Sequence, residues 1–198
     1  MKFPRASATE ISTGKLVPTV HKQPLKSSAV TNWDGIIIEQ HSLAPSESPE
    51  ISLHHHSISI MLGLEYQIEW RLAGGKFQTS HMLAGEIGFT PKDIPTQARW
   101  FQDVEFLLIS LDDSLIQKAV ADVIDCSNIS FIPQRGVADA QIFHLGMALR
   151  AELEAACPTG KIFADSIASA LAARLVTHYS DKRALPTHTA NLAQQQLR

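Results

Sequence analysis

Between Pro49 and Leu111 apolar and polar positions alternate in short runs, separated by glycine and proline turns. The clearest run is Glu65 to Leu72. Tyr66, Ile68, Trp70 and Leu72 are large and apolar, while Glu65, Gln67, Glu69 and Arg71 between them are charged or polar. Side chains alternate across a strand, so this segment buries one face and wets the other. Similar runs predict strands over Gly35–Glu39, Glu50–Leu53, Ser57–Leu62, Lys76–Met82, Gly85–Phe89, Gln97–Phe101 and Val104–Leu111. About eight short strands at this spacing point to a sandwich or barrel.

At Leu111 the period changes. Asp112 or Asp113 can cap a helix over roughly 114–124, and Asp139 is a good cap for the next one. Ile142, Leu145, Leu149, Leu153 and Ala156 then recur at helical spacing, and Pro158-Thr159-Gly160 breaks the helix. A second helix carries Phe163, Ile167, Leu171, Leu175 and His178. So short a turn predicts an antiparallel helical hairpin. The fold class expected is α+β, an antiparallel barrel followed by this hairpin. Its apolar stripes can pack on the barrel and on each other, or leave part of the surface for a partner.

Composition adds little: 44% hydrophobic and 19% charged residues over 198 positions are ordinary for a soluble globular chain. The longest near-apolar stretch, Ile167 to Val176, contains Arg174 and is too short for a bilayer. No apolar signal core follows the N-terminus, so neither export nor membrane contact is expected. Cys126 and Cys157 form no CxxC pair, which fits free thiols in the cytoplasm. Charge is uneven. Residues 1–32 carry five basic and one acidic side chain, whereas 33–180 carry nine basic and eighteen acidic. An acidic body repels phosphates, so direct DNA contact by this chain is not expected. Residues 1–32 read as a basic flexible tail, 33–112 as the barrel, 113–180 as the helical region and 181–198 as a linker.

Several segments together resemble a known family. They are Trp33-Asp34-Gly35-Ile36-Ile37-Ile38-Glu39, Pro49-Glu50-Ile51, Gly85-Glu86-Ile87-Gly88-Phe89-Thr90-Pro91 and Leu107-Leu108-Ile109-Ser110-Leu111-Asp112, followed by 145–154 and 170–180. In order and spacing they are similar to the N-terminal, cupin-like sensing domain of AraC-type transcription regulators, over about residues 33–198. The resemblance implies a domain that binds a small effector, or dimerises, beside a separate DNA-reading domain. Leu192 to Arg198 looks like the first turns of that second domain, whose recognition helices have no counterpart here. The resemblance also implies a homodimer through the helices, with Leu145, Leu149, Leu153, Leu171 and Leu175 as interface candidates.

His54-His55-His56 is the most chemically suggestive cluster. Extending the parity of Ile58 and Ile60 places His54 and His56 inward, His55 outward, and Ser57 and Ser59 outward. An inward pair at i and i+2 can coordinate a metal. Enzymatic cupins add a glutamate and a further histidine, but the corresponding positions hold Ile60, Met61 and Thr96, with Asp93 in place of a glycine. His81 could join them only if the fold brought it near. No metal and no cofactor are therefore expected. Nor is catalysis, because no nucleophile and base stand together. The competing reading is a stand-alone cupin enzyme or small-molecule-binding protein using a metal at His54 and His56. A hollow barrel would be lined by His54, His56, Ile60, Tyr66, Ile68, Trp70, Phe89 and Trp100; alternatively these side chains fill it.

Overall fold

The computed structural model of this chain describes residues 5–31, 33–120 and 129–181. Its elements are β1 (Ser7–Glu10), β2 (Leu16–Pro18), β3 (Lys26–Ser27), β4 (Ile36–Leu43), β5 (Ser46–Glu47), β6 (Ile51–Leu53), β7 (His56–Met61), β8 (Tyr66–Leu72), β9 (Gln78–Met82), β10 (Ile87–Thr90), β11 (Pro95–Trp100), β12 (Val104–Leu111), α1 (Asp113–Val120), β13 (Gln134–Val137), α2 (Ala140–Glu154) and α3 (Gly160–Tyr179). The end of the expected first helix (121–124), Cys126 and the segment 192–198 lie outside the described residues.

Two antiparallel sheets face each other. One runs β2-β1-β6-β11-β8-β9 with β5 beside β11, and the other runs β13-β10-β7-β12-β4-β3. From β6 onward the chain passes back and forth between them: β6 in the first, β7 in the second, β8 and β9 in the first, then β10, β11 and β12 in alternation. That order is a jelly roll, the double-stranded β-helix of cupins, with helices at the C-terminal end.

The N-terminal segment is not a tail. β1 pairs with β6, matching Ala8 with Leu53, and β3 pairs with β4. Arg5 fastens it. Its Nε donates to the buried Glu39 carboxylate at 3.0 Å, and Nη2 donates to the carbonyls of Val20 and Lys22. Burial works to raise the Glu39 pKa, but hydrogen bonds from His41 and Arg5 outweigh it and hold the carboxyl below its usual value. The positive charge that suggested a solvated tail includes the cation that neutralises this buried carboxylate.

The second sheet is covered on both faces. On its outer face Ile58 and Ile60 of β7, Ile87 and Phe89 of β10, and Leu107 and Ile109 of β12 form one core with Ile142 and Leu149 of α2 and with Leu171 and Leu175 of α3. The helices complete this core. Contact is closest at Gly146, where a Cβ would lie 2.2 Å from Cδ1 of Ile60 and 3.3 Å from that of Ile109. On α3 the buried face includes Ala164, Ala168 and Ala172, whose small side chains allow close packing. Leu149, Leu171 and Leu175, expected at a dimer interface, are fully buried in this core, and Leu145 and Leu153 pack on it half-buried. The stripe was read correctly as apolar, but the sheet occupies most of it.

Asp139 locks the helices together. As the N-cap of α2 it accepts from the amides of Gln141 and Ile142, both at 3.1 Å. Its other oxygen accepts from Arg174 Nε at 3.0 Å and from the Tyr179 hydroxyl at 2.7 Å, both near the end of α3. Burial alone would raise the Asp139 pKa, yet these donors hold it below normal. At the other end Glu152 accepts from the Thr159 amide at 2.7 Å and closes the turn. Among the described residues no helix is long and apolar enough to cross a membrane.

Two substitutions test this packing. Gly146→Ala forces a methyl against Ile60 and should lower unfolding free energy by about 1–3 kcal/mol. Asp139→Ala removes the cap and leaves Tyr179 and Arg174 without their acceptor, and should cost about 2–4 kcal/mol. Urea titrations read both, and wild-type stability in Gly146→Ala would contradict the close approach.

Candidate functional site

β7 has its polar positions on the inner face. Because Ile58 and Ile60 turn outward to the helices, Ser57, Ser59 and Met61 point between the sheets. The expected parity is therefore inverted. The same holds on β10 and β12, where Phe89 and Leu107 face the helices while Thr90, Phe106 and Leu108 face the interior. From the first sheet Tyr66, Ile68, Thr96, Ala98 and Trp100 point inward. The result is a cavity of about 590 Å³, open at one end beside Thr19–Lys22 and Ala44–Ser48.

Of the residues expected to line it, Tyr66, Ile68 and Trp100 do so. Ile60 and Phe89 belong to the core beneath the helices. Trp70 lies behind the cavity and stacks on the guanidinium of Arg135, 5.0 Å from its ring centroid, while its indole N–H donates to Ser80 at 2.9 Å. His54 and His56 do not line it.

The three histidines diverge because the chain bends between β6 and β7. His54 is exposed, its Nε2 paired with Thr9 Oγ1 at 2.8 Å and its Nδ1 with Ser7 Oγ at 3.3 Å. His55 pairs with Asp112 at 2.7 Å. His56 is buried beside Phe131 and pairs through Nε2 with Asp113 at 3.1 Å, whose other oxygen accepts from Lys92 Nζ at 2.8 Å. Asp113 therefore serves His56 and Lys92 rather than a helix cap. Burial holds His56 below its ordinary pKa despite Asp113, so the ring is neutral at pH 7. His81 is exposed on β9, remote in the pairing from the other three. Among the described residues no three His, Cys, Asp or Glu side chains group as metal ligands. The histidine pair does not fit a metal site. Asp93, at the usual glycine position, adopts φ 62°, the left-handed conformation a glycine would favour.

Arg135 is the residue that pattern reading missed. No alternating pattern marks a strand there, yet residues 134–137 form β13 on the edge of β10. Its side chain passes through the gap left by Gly88, where a Cβ would lie 2.7 Å from Ser59 Oγ and 3.3 Å from Arg135 Cδ. Nη2 donates to Thr90 Oγ1 at 2.8 Å, and Nη1 to the carbonyls of Phe89 at 3.0 Å and Gln134 at 2.7 Å. The guanidinium lines the cavity and, among the described residues, pairs with no carboxylate. Burial pushes its pKa down to about 10, so it stays cationic at neutral pH. Facing it, Tyr66 is pushed up to about 12 by burial and remains a neutral donor. Among the described residues the Tyr66 hydroxyl donates only to the Met61 sulfur at 2.8 Å, a weak acceptor. The signal for Arg135 in the sequence was slight, one cation between Pro133 and Gly136 with apolar neighbours on either side.

No protein-family model matches this chain, and no curated protein matches it. Solved structures do show likeness. A cupin superfamily protein from Desulfitobacterium hafniense is 15% identical, with 48% of this chain and 84% of that one covered at TM-score 0.36. Oxalate decarboxylase from Lactobacillus farciminis is 20% identical, covering 39% of this chain and 23% of that one at 0.32. The DMSP lyase DddQ from Ruegeria pomeroyi is 17% identical, covering 40% of each at 0.34. Two of these three are enzymes, which corrects the expectation of a non-enzymatic chain: a fold of this type does not separate it from enzymes. The cupin-type assignment itself rests on the strand order.

The neutral, buried His56 makes stability depend on pH. Its folded pKa lies below the unfolded value of 6.5, so the unfolded chain binds the extra proton. The contribution is complete above pH 6.5 and is lost as pH falls through the lower folded value. Urea midpoints should fall on acidification from pH 7.5 to 5, and His56→Gln should flatten this slope.

Proposed function

We propose that this chain is a small-molecule-binding cupin-type module acting as the effector-sensing and dimerisation domain of an AraC-type transcription regulator. The observation that carries the reading is the hollow interior. A volume of about 590 Å³ falls within the usual range for ligand sites, and its lining mixes apolar walls with a few convergent polar groups. The helices favour sensing over storage. Ser57 and Ser59 face the cavity from the same short strand on which Ile58 and Ile60 press against α2 at Gly146. A ligand that shifts β7 by a fraction of an ångström therefore acts directly on the helix pair, which gives occupancy a route to helix position. The resemblance over 145–154 and 170–180 supplies the regulator class.

Dimerisation in this reading uses what the core leaves free on the helices, where Leu145 and Leu153 are half-buried and Ile162 is exposed. A cytoplasmic setting and a DNA-reading domain elsewhere in the regulator belong to the same reading.

The test is thermal unfolding against a library of small metabolites. A true ligand at a hundred times its Kd adds about 2.7 kcal/mol, a rise in Tm of roughly 5–10 °C for a chain of this size. Ala98 lines the cavity, so Ala98→Phe should fill it and abolish that rise while the protein stays folded. A rise that survives in Ala98→Phe would place the ligand elsewhere.

A further inference from the structure

An isolated charge inside a protein is expensive unless something compensates it. Arg135 has three neutral hydrogen-bond acceptors and one aromatic face, and no carboxylate pairs with it among the described residues. Two buried carboxylates of the fold are handled differently. Glu39 has Arg5 and His41, and Asp139 has Arg174 and Tyr179. Arg135 is also the one that faces an open cavity.

The groups around it are uncommitted donors. Tyr66 donates only to sulfur, and the Ser59 hydroxyl reaches the Gly88 carbonyl only at a long 3.4 Å. The Ser57 hydroxyl sits 3.4 Å from the His55 carbonyl and 3.5 Å from Ser110 Oγ. Hydrogen bonds of that length are weak, and these hydroxyls can turn to a better acceptor. Farther out the walls become apolar, with Trp100, Phe106, Leu108 and Ile68.

Resting on the reading of this cavity as a ligand site, we propose that its ligand is a small organic carboxylate with an apolar or aromatic body. The carboxylate meets Arg135 at the closed end, with Tyr66 and Ser59 as further donors, and the body lies against Trp100 and Phe106. A guanidinium pairs with a carboxylate in two parallel hydrogen bonds, which gives orientation as well as energy. The charge count favours a carboxylate over a phosphate. Arg135 is the single cation at the closed end among the described residues, and the lining cation Lys22 belongs to the mouth. A dianion there would leave one negative charge uncompensated.

The test is calorimetric titration of the full chain with three matched probes: 4-phenylbutyrate, 4-phenylbutan-1-ol and 4-phenylbutyl phosphate. The expected result is binding of the carboxylate at least tenfold tighter than the alcohol and the phosphate. Arg135→Gln should then weaken the carboxylate by 10- to 100-fold and leave the alcohol unchanged. Tyr66→Phe, which keeps the ring in place, should weaken the carboxylate by a few fold and supports the assignment even if Arg135→Gln fails to fold. Equal affinity for acid and alcohol would overturn the charge assignment while leaving the cavity a ligand site. Tighter binding of the phosphate would overturn the choice of a monoanion. No binding of any probe at millimolar concentration would overturn both this proposal and the ligand-site reading beneath it.

Discussion

The second sheet must bury both of its faces, and the rest of the molecule follows from how it divides its side chains between them. Ile58, Ile60, Ile87, Phe89, Leu107 and Ile109 pack outward against α2 and α3. These six residues thus sit outside the sandwich, under a roof of helices. Beside Met61, Phe106 and Leu108, the sheet turns Ser57, Ser59 and Thr90 to the interior, side chains too short to fill their share of the space between two sheets. Stacked sheets lie about 10 Å apart, so short inward side chains over part of that gap leave a cavity. The tight contact at Gly146 and the hollow opposite it are two sides of one arrangement.

The same arrangement explains where charge is tolerated. A guanidinium reaches the interior only because Gly88 has no side chain to block it and β13 delivers it from the sheet edge. Once there, it finds the Thr90 hydroxyl and a tryptophan face and, among the described residues, no carboxylate. Elsewhere the buried Glu39 and Asp139 are each paired with an arginine, so the protein does build charge pairs where structure alone demands them. In stability terms an open pairing position is a cost; next to a cavity it is what a binding site needs.

Much of the architecture was legible in the chain. β8 was evident from Tyr66, Ile68 and Trp70 because its outer face is solvated, with Glu69 and Arg99 paired on that side, so apolar and polar positions contrast. Asp139 could be identified as a cap because capping is local, although its ties to Arg174 and Tyr179 are not. The site was harder to see. On β7 the alternation of Ile and Ser is just as clear, yet it does not say which face is inside when helices cover the outer one, and this inverted the assignment of Ile60, Ser57 and Ser59. His54 and His56 were placed together by strand parity, which fails where the chain bends between β6 and β7. Leu149, Leu171 and Leu175 form an apolar stripe whether it meets a sheet or a second subunit, and period alone cannot distinguish the two.

By itself, then, the sequence determined the local order: short strands, a change to helical period after Leu111, a capped helix at Asp139 and a break at Pro158. These depend on neighbours a few residues away, through backbone geometry and side-chain spacing. Tertiary structure alone decided which face of each strand became the interior, that the N-terminal segment pairs with β4 and β6, and that Arg135 meets Thr90 across roughly forty positions of chain. Those outcomes depend on which surfaces compete for burial once the whole chain is folded. No window along the sequence contains both competitors.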